Sequence, residues 1–383
     1  MRIAIFSAQY PPHLGGIERF TQQLAHSLVV LGHEICVVTN DTESLGVPVR
    51  VEGGVQVVSL TCIPFVDGRF PLPCWSKSNS ELLKVVCDFM PDAVVINARF
   101  YPHSLLGLHL ASKLDIPALI IDHGSYWLSF GSPALDVCVR VYERFITGLG
   151  KKLYHPAYAG VSASSASWLQ TFGIQTDIVV GNAIDASAYR AQASRRDYRM
   201  ELGLPESTRL VVSVGRLIPE KGIRQIIEAS RSTIWRNNNA VILIAGSGPL
   251  EDSVVQAQSQ SMRFLGRLDT QDVAALFLQA SFLLLPSVSE GFATTLLEAG
   301  ACSLPALVTD VGGARELFGE DERFVLNSSS PEAIVAGAER LLAHDGEIAS
   351  CGRELYKRVS CDYDWNSVAR RVLSALEELI CKQ

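Results

Sequence analysis

Short apolar runs alternate with stretches of helical periodicity along the whole chain, and this alternation limits the fold more than any other feature. Such runs suit strands that are covered on both faces, as in parallel sheets built from β-α-β units. The candidate strands of the first half are RIAIFS, EICVVTN, VQVVSL, AVVINA, PALIID and AGVSA, and those of the second half are RLVVSVG, AVILIAG, MRFLG, SFLLLP and PALVT. The sequence therefore predicts an α/β protein.

With 383 residues, the chain is too long for one ordinary core and long enough for two domains. Each half begins with a buried strand, a glycine-containing turn and a helix. We place the domain boundary within 176–188, which predicts a first domain of residues 1–180 and a second of residues 181–364. The amphipathic end of the chain, 365–383, is expected to pack back on the first domain, and the polar segment 191–199 is expected to be a surface connection.

The composition argues against several classes of protein. A net charge of −7 disfavours nucleic acid as the main partner, because a phosphate-binding surface normally carries a basic excess. The nine cysteines lack Cys-x-x-Cys spacing, which suits a reducing compartment. The N-terminal apolar run is too short for a signal peptide, and no window approaches the roughly 18 apolar residues that span a bilayer. We therefore expect a cytoplasmic protein that binds no nucleic acid.

The segment 286–316 carries the strongest chemical signal. It places Glu290 in a loop, then two threonines that can cap a helix, then Glu298 one or two turns into that helix. The N-terminus of a helix attracts phosphate through its unpaired N–H groups and its dipole. Carboxylates beside it suit hydroxyl groups, which donate hydrogen bonds to them. This arrangement indicates a nucleotide-sugar site, although two glutamates at this spacing are also common on solvated helices.

Basic residues follow the first strand of the second half, in VSVGRLIPEKGI. Gly215 ends the strand, and Arg216 and Lys221 come soon after it. Cations in a strand-to-helix loop at the carboxyl edge of a parallel sheet lie where ligands bind in open α/β folds, and a diphosphate is their natural ligand. A solvated basic loop is the alternative interpretation.

Two further strand-to-turn segments of the second half are weaker signals. In IAGSGPLE, Gly246 lets the backbone approach a ligand closely. In FLGRLD, Arg267 and Leu268 could flank a base. Turns of this kind are common, so they carry weight only together with the other motifs.

The first half of the chain contains two candidate features, a Gly-Gly turn and a histidine at the end of a strand. Gly15 and Gly16 open the first helix without the G-x-G-x-x-G spacing of dinucleotide sites, and such a pair is often only a turn. His123 comes directly after a very apolar strand. A lone histidine is more often structural than catalytic, but the carboxyl end of a buried parallel strand is where ligands bind.

In their order along the chain, these motifs resemble one family, the retaining glycosyltransferases of the GT-B fold, family 4 (group 1 type). The resemblance covers almost the whole chain and rests on GGIE at 15–18, His123, GNAID at 181–185, GRLIPEKG at 215–222, AGSGP at 245–249, Glu290 with Glu298, and DVGGARE at 310–316. It implies two Rossmann-like domains facing each other across a cleft, the first binding the acceptor and the second the nucleotide-sugar donor. A C-terminal helix would cross back to the first domain.

The resemblance also implies roles for the matching residues. Arg216 and Lys221 would neutralise the departing diphosphate. Glu290 would hold hydroxyls of the donor sugar, Glu298 those of the ribose, and His123 would contact the sugar near the reacting carbon. Further candidates for donor binding are Gly15, Gly16, Gly215, Gly246, Arg267, Leu268 and the backbone N–H groups of Phe292, Ala293 and Thr294. Members of the family need no metal and no cofactor besides the donor, so none is expected here.

The acceptor is expected on the first domain, where the segments 59–77 and 126–155 stand out. The second segment predicts a helix with an apolar face and a basic rim, formed by Leu135, Val139, Tyr142, Phe145, Ile146 and Leu149 and by Arg140, Arg144, Lys151 and Lys152. This pattern fits an interfacial helix on an anionic leaflet, and a core-packed helix is an equally good interpretation. By family analogy, a lipid-linked saccharide of bacterial surface polysaccharide assembly (O-antigen, capsule or exopolysaccharide) would bring the protein to the cytoplasmic face of the inner membrane.

Three other functions fit the sequence less well than glycosyl transfer. An inactive homologue serving as a binding subunit would have lost charged groups that are all present here. A nucleotide-sugar epimerase of the same architecture is disfavoured by the paired cations and paired glutamates. A dinucleotide oxidoreductase lacks its glycine fingerprint. The expected donor is a UDP-sugar or, second, a GDP-sugar.

Overall fold

The computed structural model describes residues 1–13, 15–65, 68, 70–128, 133–319 and 323–382. The chain divides into two compact units: unit 1 comprises Met1–Asn182 and Trp365–Gln383, and unit 2 comprises Ala183–Asp364. Each unit contains a mainly parallel sheet covered by helices, so the predicted α/β class is confirmed. None of the helices within these described ranges is long and apolar enough to cross a membrane.

The main sheet of unit 1 has seven strands in the order β3-β4-β2-β1-β7-β8-β9. The strands of unit 1 are β1 (Arg2–Ser7), β2 (Glu34–Asn40), β3 (Val49–Glu52), β4 (Val55–Leu60), β5 (Cys62–Phe65), β6 (Phe70–Pro73), β7 (Ala93–Asn97), β8 (Ala118–Asp122) and β9 (Ala157–Gly160). Strand β3 runs antiparallel to β4, and β5 and β6 form a separate antiparallel ribbon. The central strand β1 is fully buried at Ile5, which lies opposite Val37 of β2 and Val95 of β7.

The helices of unit 1 include one from the far end of the chain. They are α1 (Gly16–Val30), α2 (Lys77–Asp88), α3 (Pro102–Leu114), α4 (Pro133–Tyr154), α5 (Ala163–Trp168) and α16 (Trp365–Cys381). Helix α1 buries Phe20, Leu24 and further residues on one face, and α16 packs against it. Val372 and Leu376 of α16 are fully buried, and the ring of Trp365 lies 5.7 Å from that of Phe20. The prediction that the C-terminal helix returns to the first part of the chain is therefore confirmed.

The sheet of unit 2 has six strands, all parallel, in the order β12-β11-β10-β13-β14-β15. They are β10 (Arg209–Val214), β11 (Ala240–Ala245), β12 (Met262–Phe264), β13 (Phe282–Leu285), β14 (Ala306–Thr309) and β15 (Val325–Leu326). The helices are α6 (Ala186–Ala191), α7 (Tyr198–Glu201), α8 (Ile223–Ala229), α9 (Ile234–Asn237), α10 (Glu251–Gln256), α11 (Thr270–Gln279), α12 (Thr294–Ala301), α13 (Ala314–Phe318), α14 (Pro331–Leu342) and α15 (Asp345–Asp362). Every residue of β11 is buried, because helices cover both faces of the sheet.

The strand order fixes where each sheet offers a binding crevice. In unit 2 the chain runs outward from β10 through β11 to β12 and then returns to β13 on the other side of β10. In open parallel sheets, ligands bind at the carboxyl ends of the strands where the order reverses in this way. The corresponding pair in unit 1 is β1 and β7. The loops that follow these four strands are therefore the first places to look for a site.

Candidate active site

A cavity lies at the carboxyl ends of β10 and β11 in unit 2. It has a volume of about 330 Å³ and is lined by Val214, Gly215, Arg216, Ala245, Gly246, Ser247, Arg267, Leu268 and Val273. This cavity thus brings together five candidate residues that were predicted from three separate sequence segments: Gly215, Arg216, Gly246, Arg267 and Leu268. Arg216 and Arg267 are exposed, so their guanidinium groups are open to a ligand. A space of this size fits a small organic ligand.

Backbone contacts between neighbouring turns give this cavity its shape. The N–H of Gly215 donates to the carbonyl of Ala245 over 3.0 Å, and the N–H of Gly246 donates to the carbonyl of Gly266 over 2.8 Å. Gly246 has φ +147°, and a Cβ there would lie 1.8 Å from the carbonyl oxygen of Gly215. Only glycine fits at such a distance, which explains the glycine of the IAGSGP segment.

An ion pair joins the loop after β10 to the loop after β13 in unit 2, at the point where the strand order reverses. The Nζ of Lys221 bonds to Oε1 of Glu290, and the side chains of Lys221 and Glu290 are 18% and 10% exposed. The hydroxyl of Ser287 donates to the same oxygen over 2.8 Å, and the N–H of Val288 donates to the carbonyl of Glu220 over 2.8 Å. The Lys221 and Glu290 side chains, expected at one site from sequence, are therefore in direct contact.

A Gly-Gly turn after β14 lies directly behind the Glu290 loop. A Cβ at Gly312, where φ is +54°, would lie 2.0 Å from Cβ of Glu290. A Cβ at Gly313, where φ is +88°, would lie 2.7 Å from Cε2 of Phe292. The carbonyl of Gly312 also accepts a hydrogen bond of 3.1 Å from the N–H of Ala293. This N–H, which the resemblance assigns to the ligand, is therefore used within the protein in this structure.

Helix α12 begins without a side-chain cap. Its N-cap is Ala293, and Thr294 is its first residue, so the expectation that a threonine caps this helix is wrong. Phe292 and Ala293 are buried, and the ring of Phe292 lies 5.5 Å from that of Tyr363. Glu298 lies in the second turn of α12 and is partly buried. The loop is thus anchored by Phe292, with its backbone running along the carboxyl edge of the sheet.

His123 of unit 1 follows β8 and is held by an aromatic ring and an amide. Its ring lies 4.8 Å from that of Phe20, and its Nε2 lies 3.3 Å from Oδ1 of Asn97. The amide of Asn97 donates to Thr21 over 2.7 Å, which turns its oxygen towards the histidine. Burial lowers the pKa of His123 to about 4, so the ring is neutral near pH 7. A neutral ring that donates from Nε2 keeps Nδ1 as an acceptor.

Gly15 and Gly16 lie at the start of α1, with Gly15 as the N-cap. A Cβ at Gly15 would lie 2.1 Å from Oε2 of Glu18, whereas one at Gly16 would meet none of the described atoms within 4 Å. Burial raises the pKa of the Glu18 carboxyl. A side chain at position 15 would therefore displace the Glu18 carboxylate, the flexible end of its side chain.

The structure adds a buried charge network behind His123 that sequence analysis missed. Arg99 pairs with Glu143 of α4 at 2.9 Å and with Asp122 at 3.6 Å, and all three side chains are almost fully buried. Glu143 also accepts a hydrogen bond of 3.0 Å from the N–H of Leu128. Burial raises the pKa of both carboxyls. The three residues come from separate elements, so no local motif could have revealed them.

Among the described residues, no group of three or more His, Cys, Asp or Glu side chains is placed to hold a metal ion. The positive charge in the candidate site of unit 2 comes from Arg216, Lys221 and Arg267.

Comparisons of the sequence with known proteins identify the family. The family model described as "Glycosyltransferase Family 4" matches residues 14–188, and the model described as "Glycosyl transferases group 1" matches residues 194–358. TuaC of Bacillus subtilis, described as a teichuronic acid biosynthesis glycosyltransferase, is 31% identical over 302 residues, covering 76% of this chain and 73% of TuaC. Glycogen synthase of Mycobacterium tuberculosis is 27% identical over 403 residues, covering 96% and 92% of the two chains.

Solved structures show the same fold at low sequence identity. Sucrose-phosphate synthase from Thermosynechococcus elongatus superposes with a TM-score of 0.74 at 18% identity over 100% of both chains. Anabaena Alr3699/HepE, solved in complex with UDP and glucose, superposes with a TM-score of 0.68 at 17% identity over 99% of this chain and 100% of HepE. The predicted GT-B fold and family are confirmed. The chain belongs to glycosyltransferase family 4, the group 1 glycosyltransferases, and is a nucleotide-sugar-dependent enzyme.

Proposed function

We propose that this protein moves a sugar from a UDP- or GDP-sugar to a hydroxyl of a lipid-linked saccharide, with retention of the anomeric configuration and without a metal ion. The acceptor would belong to bacterial surface polysaccharide assembly, and the protein would work at the cytoplasmic face of the inner membrane. Retention follows from membership of the family.

The observation that carries the proposal is the contact between a cation, Lys221, and a carboxylate, Glu290, at the carboxyl ends of β10 and β13. Lys221 pairs with Glu290 there, and Arg216 lines the adjacent cavity. Cleavage of the sugar–phosphate bond leaves negative charge on the diphosphate, and cations that are fixed beforehand stabilise that charge in the transition state. Because Arg216 and Lys221 supply this positive charge, the proposal includes no metal.

The two glutamates and the backbone before α12 would recognise the donor. Glu290 would accept hydrogen bonds from sugar hydroxyls and Glu298 from the ribose, because ionised carboxylates are strong acceptors. The N–H groups of Phe292 and Thr294 would reach the sugar and phosphates at the positive end of α12. The N–H of Ala293 would first have to leave the carbonyl of Gly312.

The residues of unit 1 would contribute neutral contacts. His123 is uncharged near pH 7 because burial lowers its pKa to about 4, so its Nδ1 suits a hydroxyl of the transferred sugar better than a phosphate. Gly15 and Gly16 would let the N-terminal end of α1 approach the diphosphate. These roles belong to the proposal and derive from the family resemblance.

UDP is the preferred donor nucleotide. The cavity lined by Arg267 and Leu268 offers a polar and an apolar side chain for a base, together with backbone groups of the neighbouring turns. HepE, which shares the fold, has been solved with UDP. A GDP-sugar is the second choice.

Helix α4 supports an acceptor at a membrane surface. Val137, Val141 and Phe145 recur at four-residue intervals and are 57%, 61% and 67% exposed. Arg140 and Arg144 lie beside this stripe. Tyr142 and Ile146, which the sequence placed on the same apolar face, instead pack into unit 1. The helix therefore has both a core face and an exposed apolar face with basic neighbours, a pattern that suits an anionic lipid surface.

Thermal stabilisation by nucleotides tests the proposal. The purified protein would be unfolded by heat with UDP, GDP, ADP, dTDP or CMP in the presence of EDTA. A ligand at 100 times its dissociation constant adds about 2.7 kcal/mol to the free energy of unfolding, which such a scan detects. We expect UDP to give the largest shift and Arg216→Ala to remove it. Arg231→Ala is the matched control, because Arg231 is exposed in the same unit and pairs with Glu228.

The outcomes separate the competing functions. Absence of a shift with every diphosphate would sink the proposed donor site. A shift without any release of UDP from UDP-sugars would instead identify an inactive binding subunit. Interconversion of the UDP-sugar without transfer or release would identify an epimerase. A product with the donor's anomeric configuration would establish retention.

A further inference from the structure

A small notch lies at the carboxyl ends of β1 and β2 in unit 1, outside the residues assigned so far. It has a volume of about 10 Å³, and its walls include Tyr10, Thr39, Asn40, Asp41, Glu43 and Arg50. A cavity of about 10–15 Å³ holds one water molecule. The notch therefore accepts one group of the size of a hydroxyl and is too small for a sugar ring or a phosphate.

Three polar side-chain atoms of residues that line this notch have no hydrogen-bond partner within the described part of the chain. They are Oη of Tyr10, Oγ1 of Thr39 and Oδ1 of Asn40. The three residues are only 3%, 2% and 4% exposed. A buried polar atom without a partner costs stability, and a cluster of them needs an explanation such as a water or a ligand. The amide of Asn40 donates to the carbonyl of Ala8 over 2.7 Å, which keeps its oxygen available as an acceptor.

The charged groups around the notch already have partners within the protein. Arg50 donates to Glu52 over 2.6 Å and to Ser59 over 2.8 Å. Asp41 accepts from the N–H groups of two residues of its own loop, and Glu43 pairs with His13 at 2.9 Å. The unused bonding capacity is therefore neutral: two hydroxyls and one amide oxygen. Such a set suits a hydroxyl group and offers nothing specific to an anion.

We propose that this notch receives one hydroxyl or hydroxymethyl group of the acceptor saccharide and thereby selects the acceptor. The ligand hydroxyl would donate to Oδ1 of Asn40 and accept from the hydroxyls of both Tyr10 and Thr39, because a hydroxyl has one donor and two acceptor positions. Burial raises the pKa of Tyr10 to about 12, so its phenol keeps its proton and remains a donor near pH 7. The inference rests on the proposed function, because it takes the acceptor to be a saccharide that binds unit 1.

Binding of simple glycosides tests the notch. The dissociation constants of octyl β-glucoside, octyl β-galactoside, octyl α-mannoside and octyl N-acetyl-β-glucosaminide would be measured by NMR with saturating UDP. We expect at least one of them to bind. Tyr10→Phe and Thr39→Val should each weaken that binding about 10-fold or more, because a site built for a hydroxyl loses its selectivity when its polar partner is removed. Stabilisation by UDP should not change, since neither residue belongs to the donor site.

A matched variant separates the notch from a general effect on unit 1. Tyr154→Phe also removes one phenolic hydroxyl. However, Tyr154 lines a different cavity, at the amino-terminal ends of β8 and β9, whereas the notch lies at the carboxyl ends of β1 and β2. It should leave glycoside binding unchanged. Tyr10→Phe should fold at least as stably as the parent protein, because it removes a buried hydroxyl that has no partner. A glycoside that lacks the bound hydroxyl should bind the parent and Tyr10→Phe equally well.

Each of the remaining outcomes would contradict the proposal that the notch binds a hydroxyl of the acceptor. If Tyr10→Phe and Thr39→Val bind the glycosides as the parent does, the notch holds a structural water only. If UDP stabilises the protein and none of the glycosides binds, the saccharide assignment is wrong while the donor site stands. If neither UDP nor GDP stabilises the protein, the proposed function fails first, and the inference fails with it.

Discussion

Residues from three segments of unit 2 hold the carboxylate of Glu290. Lys221 pairs with it, the hydroxyl of Ser287 donates to it over 2.8 Å, and the backbone of Gly312 lies directly behind its Cβ. A sugar hydroxyl that binds Glu290 must share the carboxylate with Lys221, so the position of the carboxylate has to be set before the ligand arrives. The close approach of the Gly312 backbone to Cβ of Glu290 limits where the Glu290 side chain can lie.

Gly312→Ala is therefore expected to impair transfer. The added methyl group would lie 2.0 Å from Cβ of Glu290, and φ at this position is +54°, so the Glu290 loop would have to move. A displacement of about 1 Å in a positioning group costs on the order of 100-fold in rate, and we expect a loss of that size in UDP-sugar turnover.

Gly203→Ala is the control for backbone strain in this experiment. Gly203 has a similar φ of +63°, but a Cβ there would meet nothing within 4 Å. Both variants carry the cost of a left-handed alanine, about 1–2 kcal/mol, and only Gly312→Ala carries the collision. Equal turnover in the two variants would show that Gly312 does not position Glu290.

At this scale the sequence indicated charged candidate residues for the site but not the residues that hold them in place. Arg216, Lys221 and Glu290 stood out because they follow buried strands of a predicted parallel sheet, at the edge where ligands bind in open α/β folds. Ser287 gave no comparable signal, and Gly312 was noted only as part of DVGGARE at 310–316, without a contact or a role assigned to it. Their roles depend on contacts between segments that are distant in sequence, which only the folded structure defines.

At the scale of elements, all eleven predicted strand segments contain a strand, and the elements that were missed lie at sheet edges. Strands β3, β5, β6 and β15 are short, and three of them are partly exposed or contain proline, so they lack a continuous apolar run. The segment 191–199, expected to be a surface connection, lies largely at the surface, because Ala191, Gln192, Arg195 and Asp197 are exposed. Its one fully buried residue is Tyr198, whose hydroxyl donates to the carbonyl of Asp272 over 2.9 Å. The polar local sequence gave no sign of this single anchor.

Helix α4 carries a prediction about membrane binding. Replacing Val141 and Phe145 together by glutamine should weaken binding to vesicles of phosphatidylcholine and phosphatidylglycerol, because it removes apolar area that would enter the interface. Val30→Gln is the control: Val30 is 77% exposed on α1, outside the stripe of α4. Binding should also fall as salt rises, since Arg140 and Arg144 would face anionic headgroups. Co-sedimentation that is equal for all three proteins would remove α4 as the membrane contact.

At the scale of the whole molecule, unit 1 is built from two pieces of chain that are far apart in sequence. Its last helix, α16, follows unit 2 in the chain and returns to pack on α1. The side chain of Arg371 in α16 donates to the carbonyl of Val180 over 2.8 Å, close to the point where the chain leaves unit 1. The sequence predicted the apolar stripe of α16 but did not predict that this stripe packs on α1. An amphipathic pattern does not identify the surface that it covers.

Leu376→Ala should therefore destabilise unit 1, although it lies near the end of the chain. Leu376 is fully buried, and removing such a side chain costs about 2–5 kcal/mol through lost apolar burial and the cavity left behind. Ile380→Ala, on the same helix but 36% exposed, should cost much less. Urea unfolding followed by tryptophan fluorescence would report the change mainly in unit 1, because four of the five tryptophans, including Trp365, lie in that unit. Equal unfolding midpoints for the two variants would mean that α16 does not contribute to the core of unit 1, and the assignment of the C-terminal helix to that unit would have to be withdrawn.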